Sequence, residues 1–176
     1  MVFGTSQRGN VLAIFCSRQC PGSVILPAYD LAVALRDAGV SVVGGFGTPV
    51  EREMLRVLLR GSAPVTIVEA RGPRVRVPAE WRAPLDDGRL RVLAPFPNVS
   101  RVTAETSERR NRIVAEMASA VLVVHASLDG RTEALAREIA PARTPLLTLA
   151  TDDGANDNLI TVGAIPIEPK AITWPS

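Results

Sequence analysis

Six short runs of mostly apolar residues recur along the chain, and a turn or a polar loop follows each of them. In most runs the apolar residues are continuous rather than alternating with polar ones, which is typical of strands that are covered on both faces. The runs occupy residues 11–15, 41–43, 65–69, 89–93, 120–124 and 145–149. The pattern predicts the buried strands of a mostly parallel sheet.

Longer segments with apolar residues at helical spacing separate several of these runs. They predict helices over residues 25–38, 50–60, 107–118, from 132 onward and, briefly, 158–162. Ser107 and Thr132 are the predicted caps of the third and fourth helices. The remaining segments are predicted loops and turns, over residues 71–82, 85–88 and 95–106.

The first elements follow a β-α-β-α-β order with short connections. Such units are almost always right-handed crossovers within one sheet. The order therefore predicts a Rossmann-like α/β fold, with helices on both faces of a mostly parallel sheet. We expect one domain over residues 1–176, with its core in about 10–165.

A glycine-rich turn joins the second predicted strand to the second predicted helix. Gly44, Gly45 and Gly47 allow the backbone to turn sharply and to approach a ligand closely. Thr48 is placed to cap the helix, whose free N–H groups and dipole favour a phosphate. The alternative is a plain strand-to-helix turn without a ligand. Phe46, inside the turn, either stacks on a base or packs in the core.

Two further strand ends carry polar loops. Ser17 and Arg18 follow the first strand, and Gly130, Arg131 and Thr132 follow the fifth. Because doubly wound folds bind ligands at the carboxyl ends of their strands, we expect these loops and the glycine-rich turn to converge on one rim. Backbone amides and guanidinium groups gathered there would suit an anion.

Three arginines stand in the first turns of the helix predicted over residues 107–118. Arg109 and Arg112 are three residues apart and share a face, whereas Arg110 points elsewhere. Positive charges at a helix N-terminus oppose its dipole, so they indicate either a function or acidic neighbours. The structural alternative pairs them with Glu105 or Glu108.

The composition narrows the function classes only modestly. Hydrophobic residues make up 47% of the chain and charged residues 22%, as in ordinary globular proteins. The net charge of +2 is too small to argue for nucleic acid by itself. Lys170 is the only lysine, so the bases are almost all arginine, which suits bidentate contacts with phosphate. A GC-rich genome would enrich arginine as well.

The two cysteines, Cys16 and Cys20, are too few for a disulfide framework or a four-thiolate zinc site, and their spacing is not that of a CxxC redox motif. We interpret them as reduced thiols of a cytoplasmic protein, and we expect no metal and no cofactor. We expect no signal peptide, and the sequence contains no apolar run long enough to span a membrane. The single histidine, His125, ends a strand and is expected to be structural, since no nucleophile is visible beside it.

The order of these motifs resembles the Rossmann-like domain of the DNA-processing proteins (DprA/Smf), within the wider group that includes the LOG (lonely guy) enzymes. The similarity extends over about residues 10–165. It is carried by the Ser17-Arg18 loop with Gly22, by GGFGTPVER (44–52), by ERRNRIVAEMASAVLVVHA (108–126) and by GANDNLITVGA (154–164). The third stretch is the most specific. Cys16, Gly47-Thr48 and His125 depart from the family's pattern.

The resemblance implies that arginines and glycine-loop amides hold single-stranded DNA, or the phosphate of a nucleotide, in a cleft over the strand ends. It also implies a homodimer. The residues that it implicates in binding are Ser17, Arg18, Gly44, Gly45, Phe46, Gly47, Thr48, Arg109, Arg110, Asn111, Arg112, Gly130, Arg131 and Thr132.

An enzymatic alternative comes from the LOG side of the resemblance, because GGFGTPVE is similar to the LOG phosphate-binding signature. It implies a phosphoribohydrolase that releases the free base from a nucleoside 5′-monophosphate. Glu51 would be the catalytic carboxylate, and Arg109 or Arg112 its arginine partner. In LOG enzymes the arginine helix precedes this signature, whereas here it follows, and that order favours the DNA-processing family.

Overall fold

The protein is built on a sheet of seven parallel strands in the computed structural model, which describes residues 10–169. The strands are β1 (Val11–Cys16), β2 (Ser41–Gly44), β3 (Val65–Val68), β4 (Leu90–Leu93), β5 (Ala120–His125), β6 (Leu146–Leu149) and β7 (Ile165–Ile167). Their order across the sheet is β4-β3-β2-β1-β5-β6-β7, and each neighbouring pair is parallel. The predicted Rossmann-like α/β fold is confirmed.

Six helices connect the strands within the described residues. They are α1 (Gly22–Asp37), α2 (Pro49–Leu58), α3 (Ala79–Asp86), α4 (Ala104–Met117), α5 (Arg131–Ile139) and α6 (Asp157–Thr161). The first three pack on one face of the sheet, where Leu31, Met54 and Trp81 are buried. The last three cover the other face, with Val114 and Leu159 fully buried. Burying one such aliphatic side chain contributes roughly 1.5–3 kcal/mol, so both faces stabilise the sheet.

The central strand, β1, lies between β2 and β5. Leu12 is in register with Val42 of β2 on one side and with Ala120 of β5 on the other. The chain leaves β1 toward α1 on one face and leaves β5 toward α5 on the other face. The two loops therefore diverge at the carboxyl edge, and this divergence opens the crevice in which doubly wound folds bind ligands.

Helices α1 and α4 begin earlier than the sequence pattern predicts. Helix α1 begins at Gly22, directly after Pro21, and α4 begins at Ala104. Thr103, not Ser107, caps α4, because its hydroxyl accepts the Thr106 amide at 3.1 Å and the Thr106 hydroxyl accepts the Thr103 amide at 3.0 Å. The arginines of α4 thus lie beyond its first turn, where the expected conflict with the helix dipole has faded.

Two elements were not predicted at all. Helix α3 lies across the segments interpreted as irregular chain and turn, and it contains Pro84 in its interior. Strand β7 follows the last predicted helix and pairs with β6, although Pro166 is its central residue. A proline in a helix interior or a strand normally argues against both assignments. Each is accepted here because α3 is short and β7 is an edge strand.

No helix among residues 10–169 is long and apolar enough to cross a membrane. The N-terminal segment, in which we expect no signal peptide, falls mostly outside the described residues. Lys170 lies outside them as well.

Candidate functional site

A cleft of about 1110 Å³ opens along the carboxyl edge of the sheet. The loops after β1, β2, β3 and β5 line it, together with residues of α2, α3, α4 and α5. Seven arginines and three glutamates are its charged lining residues: Arg18, Arg52, Arg56, Arg71, Arg74, Arg110, Arg131, Glu51, Glu69 and Glu80. The excess of guanidinium groups makes the cleft suited to an anion.

Arg110 reaches the cleft because it lies on the inner stripe of α4. Thr106, Arg110 and Val114 are spaced four residues apart, and Thr106 and Val114 are buried against the sheet. The Arg110 guanidinium donates to the Val68 carbonyl at 3.3 Å and to the Asn111 side chain at 2.7 Å. These two hydrogen bonds orient the guanidinium plane of Arg110 at the carboxyl end of β3.

Gly45 provides the space that this guanidinium occupies. A Cβ at position 45 would lie 1.7 Å from Nη1 of Arg110 and 2.0 Å from its Cζ. Any side chain at this position would therefore displace the cation. Burial lowers the pKa of Arg110, while the nearby carboxylates of Glu51 and Glu69 act in the opposite direction. The group stays charged at neutral pH, so the cleft holds a preorganised cation on its floor.

Glu51 ties the glycine-rich turn to the end of β1. One carboxylate oxygen accepts the Cys16 amide at 2.8 Å, and the other accepts the amides of Gly47 at 2.8 Å and Thr48 at 3.2 Å. Thr48 caps α2 as predicted, through a hydrogen bond from the Glu51 amide to its hydroxyl. Burial raises the pKa of Glu51, and these amide donors together with Arg110 oppose the rise.

These contacts correct two expectations about the turn. The amides of Gly47 and Thr48, which we expected to hold a phosphate, donate to a carboxylate of the protein itself. Glu51, the candidate catalytic carboxylate, is 5% exposed and is held by three amide donors. Its geometry is that of a structural clamp and does not favour the hydrolase alternative.

Ser17 joins the loops that follow β1 and β5. Its amide donates to the His125 carbonyl at 2.9 Å, and its hydroxyl accepts the Ser127 amide at 3.0 Å. Arg18 is exposed and lines the cleft directly beyond this link. The His125 ring contacts Asn156 at 3.0 Å and is buried, as expected of a structural histidine.

The first turn of α5 also opens on the cleft. Gly130, not Thr132, is the N-cap residue, and no side chain caps this helix end. A Cβ at position 130 would lie 2.8 Å from the Ser127 carbonyl oxygen, so the turn depends on glycine. Glu133 accepts the Asp129 amide at 2.8 Å, which closes the loop before α5. The start of α5 is thus a local positive end facing the cleft.

Three predicted binding residues lie elsewhere. Arg112 forms two 3.0 Å contacts with Glu138 on the outer side of α4 and α5, and both side chains are about half exposed. The Arg109 guanidinium stacks on the Phe96 ring at 5.1 Å. Gly44 is the buried last residue of β2. Of the three arginines predicted to bind, Arg110 is the one that lines the cleft, because the inner stripe of α4 runs through it and not through the face that Arg109 and Arg112 share.

The two alternatives for Phe46 are stacking on a base and packing in the core. The structure places the side chain in the core. It is 5% exposed, and its ring contacts the position where Gly44 would carry a Cβ. The residue has a positive φ of 46°, which an aromatic residue adopts only under constraint from its surroundings. The ring therefore shapes the turn that leads to Gly45.

The segment after β3 supplies cleft residues that the sequence reasoning missed. Glu69 is 6% exposed and pairs with Arg74 and, at 3.7 Å, with Arg71. The Arg74 guanidinium lies 5.0 Å from the centre of the Trp81 ring. Within the described chain, the Trp81 indole N–H is a buried donor without a hydrogen-bond partner. The arginines of this segment, interspersed with Trp81, could have indicated a binding site. The segment was not considered because it was predicted to be irregular.

Comparison with known proteins agrees with this architecture. DNA processing protein A from Streptococcus pneumoniae superimposes with a TM-score of 0.72 and 18% identity, covering 90% of this chain and 58% of that one. The Helicobacter pylori protein, whose single-stranded DNA binding mode has been described, gives 0.66 and 18%, covering 89% and 74%. A molybdenum cofactor binding protein from Rippkaea orientalis gives 0.62 and 13%, covering 94% and 93%. These likenesses show a shared fold.

This chain spans less than two thirds of the length of the S. pneumoniae protein. No match to a curated protein was found. The sequence model of the DNA recombination-mediator protein A family matches residues 4–144, which is most of the chain. The chain therefore belongs to the DNA recombination-mediator protein A family.

Proposed function

We propose that the arginine-lined cleft binds single-stranded DNA through its phosphates. The observation that carries this proposal is the excess of seven arginines over three glutamates around the cleft, with the Arg110 guanidinium fixed over Gly45. Guanidinium groups bind phosphate oxygens through paired hydrogen bonds. The H. pylori protein of the same fold binds single-stranded DNA, which supports this choice of ligand.

The extent of the cleft favours a strand over a free nucleotide. Its lining includes loops after β5, β1, β2 and β3, which are four adjacent strands. Three interstrand spacings amount to roughly 14 Å, which is more than one phosphate occupies. Arg131 at the start of α5 and Arg71 beyond β3 belong to opposite ends of this row. Successive phosphates of one strand could therefore contact different arginines.

Fluorescence anisotropy with a labelled oligo-dT at low salt tests the proposal. Arg18 is exposed, so Arg18→Gln should not disturb the fold. This change should weaken binding about tenfold, which is about 1.4 kcal/mol. Arg110→Gln should weaken it at least as much. Arg112→Gln is the matched control, since this arginine lies on the same helix as Arg110 but pairs with Glu138 outside the cleft.

Circular dichroism should verify that each variant is folded. Binding by the wild type should also fall with salt, with a slope of about 0.7 per phosphate contact on a log–log plot. Absence of binding at low salt, or equal losses in the Arg18 and Arg112 variants, would contradict the proposal.

We also propose that the chain forms a homodimer. The outer side of α1 supports this, since Ile25, Leu26 and Tyr29 are 53%, 67% and 46% exposed at helical spacing. Clustered apolar side chains on a surface mark interaction sites. Light scattering should give twice the chain mass of 18.8 kDa, and Leu26→Glu should return the monomer. A monomeric wild type would contradict it. The cytoplasmic location inferred from reduced cysteines remains a proposal of the same kind.

A further inference from the structure

A second cavity, of about 560 Å³, adjoins the arginine-lined cleft. Gln19 and Ser127 line both spaces, so the two are neighbours along the loops that follow β1 and β5. Pro21, Leu128 and Ala155 give the cavity apolar walls, and no charged residue within 10–169 lines it. Without a cation the cavity does not suit a phosphate, whereas apolar walls suit a flat, uncharged group.

The His125 ring stands in the wall of this cavity in a fixed orientation. Both hydrogens of the Asn156 side-chain amide are in use, because its Nδ2 donates to the Val124 carbonyl at 2.9 Å and to the Leu149 carbonyl at 3.1 Å. The Asn156 Oδ1 is therefore an acceptor. Since His125 Nδ1 lies 3.0 Å from this oxygen, Nδ1 is the nitrogen that carries the proton.

The other ring nitrogen of His125 is left as an acceptor. In the neutral imidazole Nε2 has a lone pair when Nδ1 is protonated. In the described part of the chain Nε2 has no hydrogen-bond partner, and it is not among the side-chain atoms closed off from solvent. His125 is 6% exposed, and it lines this cavity but not the cleft. The cavity thus presents an oriented acceptor that awaits a donor.

Asn158 presents a second acceptor to the same cavity. Its Nδ2 donates to the Ala126 carbonyl at 3.0 Å and to the Glu133 carboxylate at 3.1 Å, which leaves Oδ1 as an acceptor. Acceptors between apolar walls favour a ligand that combines N–H donors with a flat apolar face. Nucleobases have both, and proteins bind unstacked bases by packing on the face and hydrogen bonding to the edge.

We propose that this cavity receives one base of the bound strand, and that Nε2 of His125 accepts a hydrogen bond from an N–H group of that base. This inference rests on the proposed binding of single-stranded DNA in the cleft. The phosphates stay with the arginines, while the base enters the cavity past Gln19 and Ser127. The protein then senses the edge of a base in addition to the charge of the backbone.

Fluorescence anisotropy at low salt with two oligonucleotides of equal length tests the inference. One is oligo-dT, and the other carries N3-methylthymine at every position, so its phosphates are the same but a methyl group replaces each N3–H. The wild type should bind the methylated strand about fivefold more weakly, as expected for the loss of one hydrogen bond. Equal binding of both strands would overturn the inference and leave the phosphate proposal intact. Binding of neither strand would contradict the phosphate proposal itself.

His125→Asn separates the ring from the rest of the site. The asparagine amide nitrogen can replace Nδ1 as the donor to Asn156, but the shorter side chain has no atom in the place of Nε2. This variant should bind the two strands equally. Arg110→Gln is the matched control, since it should weaken binding of both strands and preserve their ratio.

Circular dichroism should verify that both variants are folded. A folded His125→Asn that still distinguishes the two strands fivefold would overturn the role of His125. The comparison of the two strands on the wild type tests the inference even if His125→Asn does not fold, because it requires no substitution.

Discussion

The Arg110 guanidinium occupies the space that a side chain at position 45 would need, so a single methyl group tests the site. In Gly45→Ala the new Cβ would fall 1.7 Å from Nη1, so the guanidinium must leave its place. Because the far end of a flexible side chain moves at little cost, we expect a small change in thermal stability. Oligo-dT binding, measured by anisotropy, should weaken about tenfold, or about 1.4 kcal/mol.

Gly47→Ala is the matched control for this change. Its Cβ would lie 3.8 Å from Nη2 of Arg110, which is an ordinary contact, so binding should be unchanged. The double variant Gly45→Ala/Arg110→Gln should bind no more weakly than Arg110→Gln alone, since both changes remove the same cation. Additive losses would show that Gly45 acts on the ligand by another route.

Glu51 provides the second prediction at the scale of one residue. Glu51→Gln keeps the volume of the side chain. It turns an NH₂ group toward backbone amides that, in the wild type, donate to the Glu51 carboxylate. Leaving buried donors unpaired costs about 1–3 kcal/mol in the free energy of unfolding. Urea denaturation should show this loss, while Glu53→Gln, an exposed change on the same helix, should cost far less. Equal stabilities would argue against the clamp.

At the scale of the elements, the strands could be predicted better than the helix that carries the site. Continuous apolar runs require burial on both faces, and this requirement alone located six of the seven strands. Val114 is an apolar residue of the helix predicted over residues 107–118, and it is buried. Arg110 precedes it by four residues and therefore lies on the same stripe. The position of Arg110 could thus have been inferred, but the helix was interpreted from its predicted start instead.

Helix α3 and strand β7 could not be predicted from local pattern, because tertiary packing overrides the proline signal in both. Trp81 and Pro84 are the buried residues of α3, so packing against the sheet outweighs the lost backbone hydrogen bond. Strand β7 has three residues, too few for any periodicity to appear. The contribution of Arg71 and Arg74 was also hidden from the local pattern, since their place in the cleft depends on how the segment between β3 and α3 folds.

The α5 turn gives a prediction on pH dependence. Hydrogen bonds from Asn158, Arg137 and the Asp129 amide hold the pKa of Glu133 below its ordinary value of 4.5. A carboxyl with a depressed folded pKa stabilises the protein fully above its unfolded pKa and loses that contribution as pH falls through the folded pKa. Glu133→Gln should therefore be less stable than the wild type at pH 7, by urea denaturation. The difference should shrink below about pH 4.5, and a constant difference would contradict this account.

At the scale of the whole molecule, the cleft joins the two halves of the sheet, so a ligand that occupies it fully should stabilise the complete fold. Loops from both sides of β1 line it, with α2 and α3 on one face and α4 and α5 on the other. A ligand that binds only the native state adds about 2.7 kcal/mol to the free energy of unfolding at a hundredfold excess over its Kd. For a chain of this length, that corresponds to about 5–10 °C in Tm.

Thermal shift with oligo-dT and with thymidine 5′-monophosphate, side by side, uses this relation to separate a strand from a nucleotide. Because the arginines are spread over four strand ends, the oligonucleotide should produce the full shift, and the monophosphate at the same phosphate concentration should produce a much smaller one. Arg18→Gln should reduce the oligonucleotide shift, while Arg112→Gln should preserve it, since Arg112 lies outside the cleft. A full shift with the monophosphate alone would mean that one phosphate satisfies the cleft, and the site would then be that of a nucleotide-binding protein.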